Sequence, residues 1–171
     1  GLGGLMIGAA LRTAGVDRVR LIDQAGDVGG VWYWNRYPGV ACDVEAAIYL
    51  PMLEEVGRIP ADKYACGPDI LAHAQSIARE FDLYSDALLH TTVTGAEWQE
   101  ATAQWSLTTD RGDGFRSTFI VLANGPLQRL KLPQVPGIET FEGVAFHTSR
   151  WNFAYTGGSA VADPTELRDK V

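Results

Sequence analysis

Three residues near the start of the chain have the types and the spacing needed to bind a dinucleotide. Gly1 and Gly4 are spaced like the last two glycines of a G-x-G-x-x-G motif, and Asp23 follows Gly4 by 19 positions. A diphosphate reaches the amides of a helix N-terminus only where no Cβ blocks it, and the helix dipole favours its charge. An acid after the next strand can accept hydrogen bonds from ribose hydroxyls. The alternative is a glycine-rich helix start that binds no ligand, and the spacing leaves open whether NAD or FAD would bind.

An aromatic segment follows these residues. Residues 29–39 have the sequence G-G-V-W-Y-W-N-R-Y-P-G, in which four aromatic side chains and an arginine lie between glycines. Adjacent glycines permit close approach of another backbone, and flat rings beside a nucleotide site are suited to contact a partly apolar flavin. Aromatic loops also serve simply as core or lid packing, and both interpretations stay open on this pattern.

The elements around the glycines predict the second half of a βαβ unit. Residues 5–14 are mostly apolar, as in a buried helix, and Gly15 is suited to end that helix. Residues 19–22 then form a short apolar strand that ends at Asp23. The turn at Gly1–Gly4, here called the glycine turn, should follow a strand. That strand is absent from the sequence, so we interpret the chain as a fragment of a longer protein.

A second helix is predicted over residues 69–82, behind Pro68. Its apolar residues recur with the 3.6-residue period of a helix that packs on a sheet. They are Ile70, Leu71, Ala74, Ile77, Ala78 and Phe81. This pattern places His73 on the exposed side of the helix.

From residue 92 the apolar period changes to two, which predicts antiparallel strands over 92–99, 104–109 and 115–123. The end of the last strand, Phe119–Ala123, is continuously apolar, so we expect it to be buried on both faces and to rejoin the parallel sheet. The predicted fold class is α/β: a three-layer, Rossmann-like domain with a parallel sheet and an antiparallel β-meander, truncated at both ends.

Composition and charge argue against several classes of function. The chain has 14 basic and 21 acidic side chains and no basic run, so we expect no nucleic-acid partner. No apolar stretch is long enough to span a membrane and no secretion signal is recognisable, so we expect a cytoplasmic protein without a membrane partner. Cys42 and Cys66 lack the spacing of a zinc or disulfide framework, so we expect free thiols and no bound metal.

Two longer motifs occur in order along the chain. The first is the aromatic segment followed by C-D-V-E at 42–45, and the second is F-x-G-x-x-x-H-x-x-x-W at 141–151. Together they resemble the Baeyer–Villiger monooxygenases, over nearly the whole chain from Gly1 to Gly158. Trp151 at the end of the second motif distinguishes it from the similar amine- and sulfur-oxidising flavin monooxygenases. Asn152 departs from the Pro or Asp that is more usual after this tryptophan.

The resemblance implies a flavoprotein enzyme with FAD and NADPH as cofactors. Such enzymes use O₂ to insert oxygen beside the carbonyl of a small-molecule ketone through a C4a-peroxyflavin, and they release an ester or a lactone. The resemblance also implies an FAD-binding domain over 1–140 and an inter-domain linker over 141–171, leading to an NADPH-binding domain that the chain lacks. Oxygenation of amines or sulfides is the alternative activity. For the isolated chain, which contains no complete G-x-G-x-x-G motif, the alternative is a catalytically inactive flavin-binding fragment.

The resemblance assigns roles to individual residues. Gly1, Gly4 and Asp23 correspond to the FAD diphosphate and ribose positions. Asp43 corresponds to a catalytic acid beside the flavin that orients an active-site arginine and the nicotinamide, although from sequence alone a helix cap is the simpler role. The other FAD-contacting positions are Val31, Trp32, Tyr33, Tyr49 and Val93. The residues of the linker motif are Phe141, Gly143, His147 and Trp151, and domain coupling rather than base catalysis is expected of His147.

Overall fold

The structure is a computed structural model that describes residues 1–127 and 129–160. In chain order, its helices are α1 (Leu2–Thr13), α2 (Val31–Trp34), α3 (Ala46–Tyr49), α4 (Gly67–Glu80) and α5 (Phe153–Thr156). Its strands are β1 (Leu21–Ile22), β2 (Ala87–Leu88), β3 (Val93–Gln99), β4 (Gln104–Thr109) and β5 (Gly114–Ser117). Two single-turn 3₁₀ helices span Ile138–Thr140 and Thr148–Arg150. The end of the predicted linker, 161–171, lies outside the described residues.

β1 and β2 form a parallel pair, with Leu21 opposite Ala87 and Ile22 opposite Leu88. The connection between these strands includes α4, as parallel pairing requires a long crossover. β1 follows α1 after a turn in which Gly15 has a φ of +80°. The predicted order of helix, turn, strand and acid is therefore present.

One hydrophobic core joins α1, α4 and the loop after β1. Leu5 of α1, Ile77 of α4 and Val28 of the loop are all buried in the same cluster as Leu83. The close approach depends on Gly8, where an added Cβ would lie 3.2 Å from a methyl group of Leu83. Each fully buried branched side chain of this kind contributes about 1.5–3 kcal/mol to folding. The core therefore fixes the start of α1 relative to the loop that follows β1.

The remaining strands form the predicted antiparallel meander, in the order β3, β4, β5. Trp98 lies opposite Trp105, and their ring centroids are 5.6 Å apart, a cross-strand aromatic pair of the kind that stabilises sheets. The two turns use positive φ angles, +49° at Ala103 and +80° at Gly112. The parallel pair and the meander together confirm the predicted Rossmann-like α/β fold.

The prediction for the end of the last strand is wrong. β5 ends at Ser117, and residues 118–125 form neither helix nor strand. Phe119 is 81% exposed and Leu122 is 84% exposed, whereas the apolar run had indicated burial on both faces. A strand needs backbone partners on a neighbouring strand. Within the described part of the chain, no strand pairs with this segment, and Phe119, Val121 and Leu122 remain exposed.

The described residues contain neither a membrane-spanning helix nor a metal-binding group of side chains. Within the residues that the structure describes, no helix is long and apolar enough to cross a membrane. The same residues contain no group of three or more His, Cys, Asp or Glu side chains placed to bind a metal ion. Cys42 and Cys66 are both free thiols.

His73 is fully buried, so its predicted exposure is wrong. The ring lies on the same face of α4 as the buried Ile70 and Ile77, because these positions are three and four residues from His73. Its Nε2 lies 2.6 Å from the carbonyl oxygen of Pro51, and this hydrogen bond offsets part of the cost of burial. The buried Nδ1 has no partner among the described residues. Burial lowers the pKa of His73 below its usual 6.5.

We predict that His73→Gln weakens the pH dependence of stability. Because the pKa of His73 is lower in the folded state, the unfolded chain binds a proton first as the pH falls below 6.5. Wild-type stability therefore decreases from that pH down to the folded-state pKa, and the glutamine variant lacks this part of the decrease. Urea unfolding at a series of pH values measures the slope for both proteins. Equal slopes would contradict the prediction.

Candidate functional site

The N-terminal turn of α1 leaves its amides available to a ligand. The first helical hydrogen bond runs from the Leu5 amide to the Gly1 carbonyl, so the amides before Leu5 have no acceptor within the helix. Among the described residues, no side chain caps this end, and the first turn contains no acid. A Cβ added at Gly3 would meet no described atom within 4 Å. The positive end of the α1 dipole is therefore open to an anion.

Gly29 and Gly30 bring a second backbone segment against this turn. Gly30 has a φ of +60°, and a Cβ added there would lie 2.6 Å from the Cα of Gly1. Gly29 has a φ of +120°, and a Cβ added there would lie 2.5 Å from the Cδ1 of Leu71. Glycine alone satisfies both the backbone angles and the spacing. The aromatic segment therefore begins in direct contact with the glycine turn.

Asp23, at the end of β1, lies beside the same turn. Its Oδ2 is 3.6 Å from the nitrogen of Gly1, and its Oδ1 accepts a hydrogen bond of 2.9 Å from the Ala25 amide. The carbonyl of Asp23 accepts a hydrogen bond from the Thr91 amide, which brings Val93, at the start of β3, to this edge. The carboxylate is 28% exposed, so it can still accept hydrogen bonds from a ligand.

Trp32 and Tyr49 contact each other near the glycine turn. The indole Nε1 of Trp32 donates a 2.8 Å hydrogen bond to the Tyr49 hydroxyl, and the two rings meet edge to face. Both side chains pack on a buried cluster that includes Cys42, and Leu2, the residue after Gly1, packs on it as well. Burial raises the pKa of Tyr49, against the opposing effect of the Trp32 hydrogen bond. The hydroxyl is therefore protonated at neutral pH.

A cavity of about 250 Å³ opens beside Trp32. Its lining is mostly apolar, with one guanidinium and one amide. The other lining residues are Arg36, Gly67, Pro68, Leu71, Ala72, Gln75 and Ala160. Arg36 also lies over the ring of Tyr33, 4.7 Å from its centroid, and Val31 begins the helical turn that presents all these rings. An indole face with few polar neighbours suits a flat, partly apolar ligand.

Asp43 follows Cys42 directly and is exposed. Helix α3 has Glu45 as its cap residue and no capping hydrogen bond from a side chain, so Asp43 does not cap this helix. In the described parts of the chain, 1–127 and 129–160, no hydrogen bond or ion pair fixes its carboxylate. The acid is therefore available to a partner from elsewhere.

The second motif forms a compact turn of its own. The ring of Phe141 folds over Gly143, where an added Cβ would lie 2.3 Å from the ring. His147 caps the following 3₁₀ helix, because its Nδ1 accepts a hydrogen bond from the Ser149 amide. Trp151 Nε1 donates a 3.0 Å hydrogen bond to the Thr156 hydroxyl.

This turn packs on the aromatic segment from the other direction. The guanidinium of Arg150 lies over the ring of Trp34, 3.8 Å from its centroid. The ring of Trp151 contacts Tyr37 at 6.4 Å and Phe146 at 5.0 Å between centroids. Cation–π contacts of this kind are worth about 0.5–2 kcal/mol each. The aromatic segment therefore connects the second motif to the glycine turn.

Most of the residues selected from the sequence thus lie in the first turn of α1 or in the segments connected to it: Gly1, Gly4, Asp23, Val31, Trp32, Tyr33 and Tyr49. Val93 lies two residues after Thr91, whose amide binds the Asp23 carbonyl. The linker motif contacts the aromatic segment at Trp34 and Tyr37. Sequence reasoning did not identify Arg150, since no local pattern marks a side chain that stacks on a ring more than 100 positions away. The pair of glycines predicts a close approach of another backbone, but no pattern in the sequence indicates that Gly30 contacts Gly1.

Comparison with known proteins identifies relatives of the chain. Residues 1–59 match the model of the NAD(P)-binding Rossmann-like domain. The chain is 57% identical to a pentalenolactone D synthase from Streptomyces arenae and 54% identical to a Baeyer–Villiger monooxygenase from Streptomyces coelicolor, over 99% of its length in both cases. A solved structure of OTEMO in complex with FAD and NADP superposes with a TM-score of 0.81 at 30% identity, covering 92% of this chain and 31% of that one.

The chain is a homologue of the Baeyer–Villiger monooxygenases. The similarity extends along the chain from end to end, and it includes both motifs that the sequence analysis selected. The chain spans 29% and 28% of the length of the two relatives described above. What it has in common with the Baeyer–Villiger monooxygenases is therefore one part of a larger protein.

We predict that Gly30→Ala destabilises the protein more than Gly39→Ala. Both positions have a positive φ, +60° with a ψ of −121° at Gly30 and +75° at Gly39, so alanine is strained at either position and costs at least about 1–2 kcal/mol. Only at Gly30 would the new methyl group also press on the Cα of Gly1, whereas Gly39 has open space around it. This overlap should add about 1–3 kcal/mol. Denaturant unfolding measures both losses, and equal values would mean that Gly1 and Gly30 do not touch in solution.

Proposed function

We propose that this chain forms the FAD-binding part of a monooxygenase that uses NADPH and O₂ to insert oxygen beside the carbonyl of a ketone, giving an ester or a lactone. The observation on which the proposal rests is the contact of Gly1 with Gly30, which puts the open amides of α1 beside the aromatic segment. Homology to Baeyer–Villiger monooxygenases supports the reaction, and the similarity to OTEMO, solved with FAD and NADP, supports the cofactors.

The residues around the turn fit FAD. The amides of residues 2–4 would donate hydrogen bonds to the diphosphate, and Asp23 would accept them from the ribose hydroxyls. Gly30 leaves no side chain between the two backbone segments. Trp32 offers an indole face at the edge of an apolar cavity to a ring system. When bound and reduced by NADPH, FAD supplies the activation of O₂.

We assign Asp43 the role of orienting a cation beside the reacting atoms. Its carboxylate is exposed and has no partner among the described residues, so an arginine from another part of the protein could pair with it. A guanidinium held in this way would lie where negative charge develops on oxygen during the attack on the ketone. Asp43 would then act through this arginine, by fixing its position.

We also propose that residues 141–171 link the FAD-binding domain, 1–140, to a domain that binds NADPH. The described part of this linker contacts the aromatic segment through Arg150 and Trp151. A displacement of the linker would therefore reach Trp34 and Tyr37, which are neighbours of Trp32 in the chain. In this proposal His147 shapes the linker turn by capping it and takes no proton from the substrate.

Expression of the full-length protein that contains this chain tests the proposed reaction. We expect FAD to co-purify, and NADPH and a ketone to give an ester or lactone that mass spectrometry detects. A panel of sulfides and amines is assayed in parallel, and oxygenation of these without any ester would assign the heteroatom activity instead. Purification without flavin would refute the site. The 171-residue chain assayed alone is expected to show no NADPH-dependent turnover.

We predict that Asp43→Ala in the full-length protein lowers ketone oxygenation by on the order of 10²-fold, because the arginine loses its orientation. FAD content should stay at the wild-type level, since the described fold makes no contact with this carboxylate. Asp62→Ala, which removes another exposed acid before α4, is the control and should change neither quantity. Steady-state kinetics and flavin absorbance give both readouts. Equal activity of the two variants would contradict the role of Asp43.

A further inference from the structure

Asp27 accepts hydrogen bonds from three donors in different parts of the chain. Its Oδ1 accepts from the Tyr84 hydroxyl and from the Val28 amide, both at 2.7 Å. Its Oδ2 accepts from the Nε2 of Gln75, on α4, at 2.8 Å. In the described residues, no lysine or arginine forms an ion pair with this carboxylate. Its charge is therefore stabilised by neutral donors alone.

The three donors fix the position of both carboxylate oxygens. A partly buried carboxylate without a cation loses hydration, so it must keep its hydrogen bonds to remain in place. Burial, together with the hydrogen bond that Tyr84 donates to Asp27, raises the pKa of the Tyr84 hydroxyl. This hydroxyl therefore stays a donor across the physiological pH range. Asp27 is bound to α4 and to the residues before β2 at the same time.

The backbone after Asp27 leads directly to the turn at Gly29–Gly30. Val28 is buried in the core that joins α1 and α4, and Gly29 and Gly30 follow it. Gly30 then contacts Gly1. The segment thus has two anchors just before its turn, the apolar one at Val28 and the polar one at Asp27. The polar anchor is directional, so it determines the path along which the backbone enters the turn.

We propose that Asp27 is a positioning residue of the FAD site. Its carboxylate, bound to Tyr84, Gln75 and the Val28 amide, sets the path of the Gly29–Gly30 turn and so keeps that turn against Gly1. The inference rests on the proposed function for the identity of the ligand. Without the carboxylate, the turn moves away from the open amides of α1, and the space that the diphosphate occupies is no longer defined.

The experiment measures the FAD affinity of variants of the full-length protein. The bound cofactor is first removed, and FAD is then titrated into the flavin-free protein. Asp27→Ala should raise the Kd for FAD about tenfold, the effect of losing charge-assisted hydrogen bonds. Asp27→Asn should recover most of the affinity. The asparagine oxygen can still accept from Tyr84 and Val28, and the Gln75 amide can turn to accept from the new NH₂ group. Tyr84→Phe should raise the Kd in the same direction but less.

Asp86→Ala is the matched control for general destabilisation. Asp86 forms ion pairs with Arg12 and Arg20, at the opposite end of α1 from the glycine turn. Its loss weakens the fold without touching the segment after Asp27. Urea unfolding of each variant allows affinities to be compared at known stability. If Asp27→Ala loses no more FAD affinity than Asp86→Ala, or if Asp27→Asn recovers none, the positioning role is refuted.

Hydrogen exchange gives a readout that does not depend on FAD. The amides of Trp32, Tyr33 and Trp34 donate to the carbonyls of Gly29 and Gly30, so their protection reports on the turn. Asp27→Ala should make these three amides exchange faster in the flavin-free protein, and Asp86→Ala should not. Unchanged exchange in Asp27→Ala refutes the inference. If the wild-type protein binds no FAD while Asp27→Ala still exchanges these amides faster than the wild type, the proposed function is refuted and the positioning of the turn by Asp27 stands.

Discussion

The candidate site depends on a backbone-to-backbone contact between Gly1 and Gly30, at which Gly30 can have no side chain. The field of a helix N-terminus falls off within its first turn, so a ligand phosphate must come close to the amides to benefit from it. The loop that completes the binding space must therefore come equally close. Glycine at position 30, which has a positive φ and no Cβ to press on Gly1, makes this approach sterically possible.

The aromatic segment has two sides with different partners. On one side, Trp32 donates a hydrogen bond to Tyr49 and lines the cavity. On the other, Trp34 and Tyr37 contact Arg150 and Trp151 of the linker motif. A short helical turn points consecutive side chains in different directions, so one segment can contact both the proposed cofactor site and the linker. This arrangement offers a physical route by which the position of a neighbouring domain could affect the flavin side.

Patterns that depend on neighbours in the sequence predicted their elements well. The spacing of Gly1, Gly4 and Asp23 reflects a helix and a strand of fixed length, and it holds in the structure. The alternation in the meander also held, because its strands pair with their sequence neighbours. His73 was misplaced because periodicity treats histidine as polar, whereas a single carbonyl 22 positions away binds its Nε2 in the core. The strand predicted at Phe119–Ala123 failed because no strand of the described residues pairs with this segment.

Residue types and their spacing are enough to predict the chemistry that the chain can offer: bare amides at a helix start, an acid after the next strand, and aromatic rings between glycines. Its two long motifs in order also indicated the resemblance to the Baeyer–Villiger monooxygenases, among which the comparisons find homologues. Which of these groups meet depends on the folded arrangement of the elements. The contact of Gly30 with Gly1, the hydrogen bonds from Gln75 and Tyr84 to Asp27 and the stacking of Arg150 on Trp34 all join residues far apart in the chain. Such contacts follow from the packing of the whole core, which no local pattern encodes.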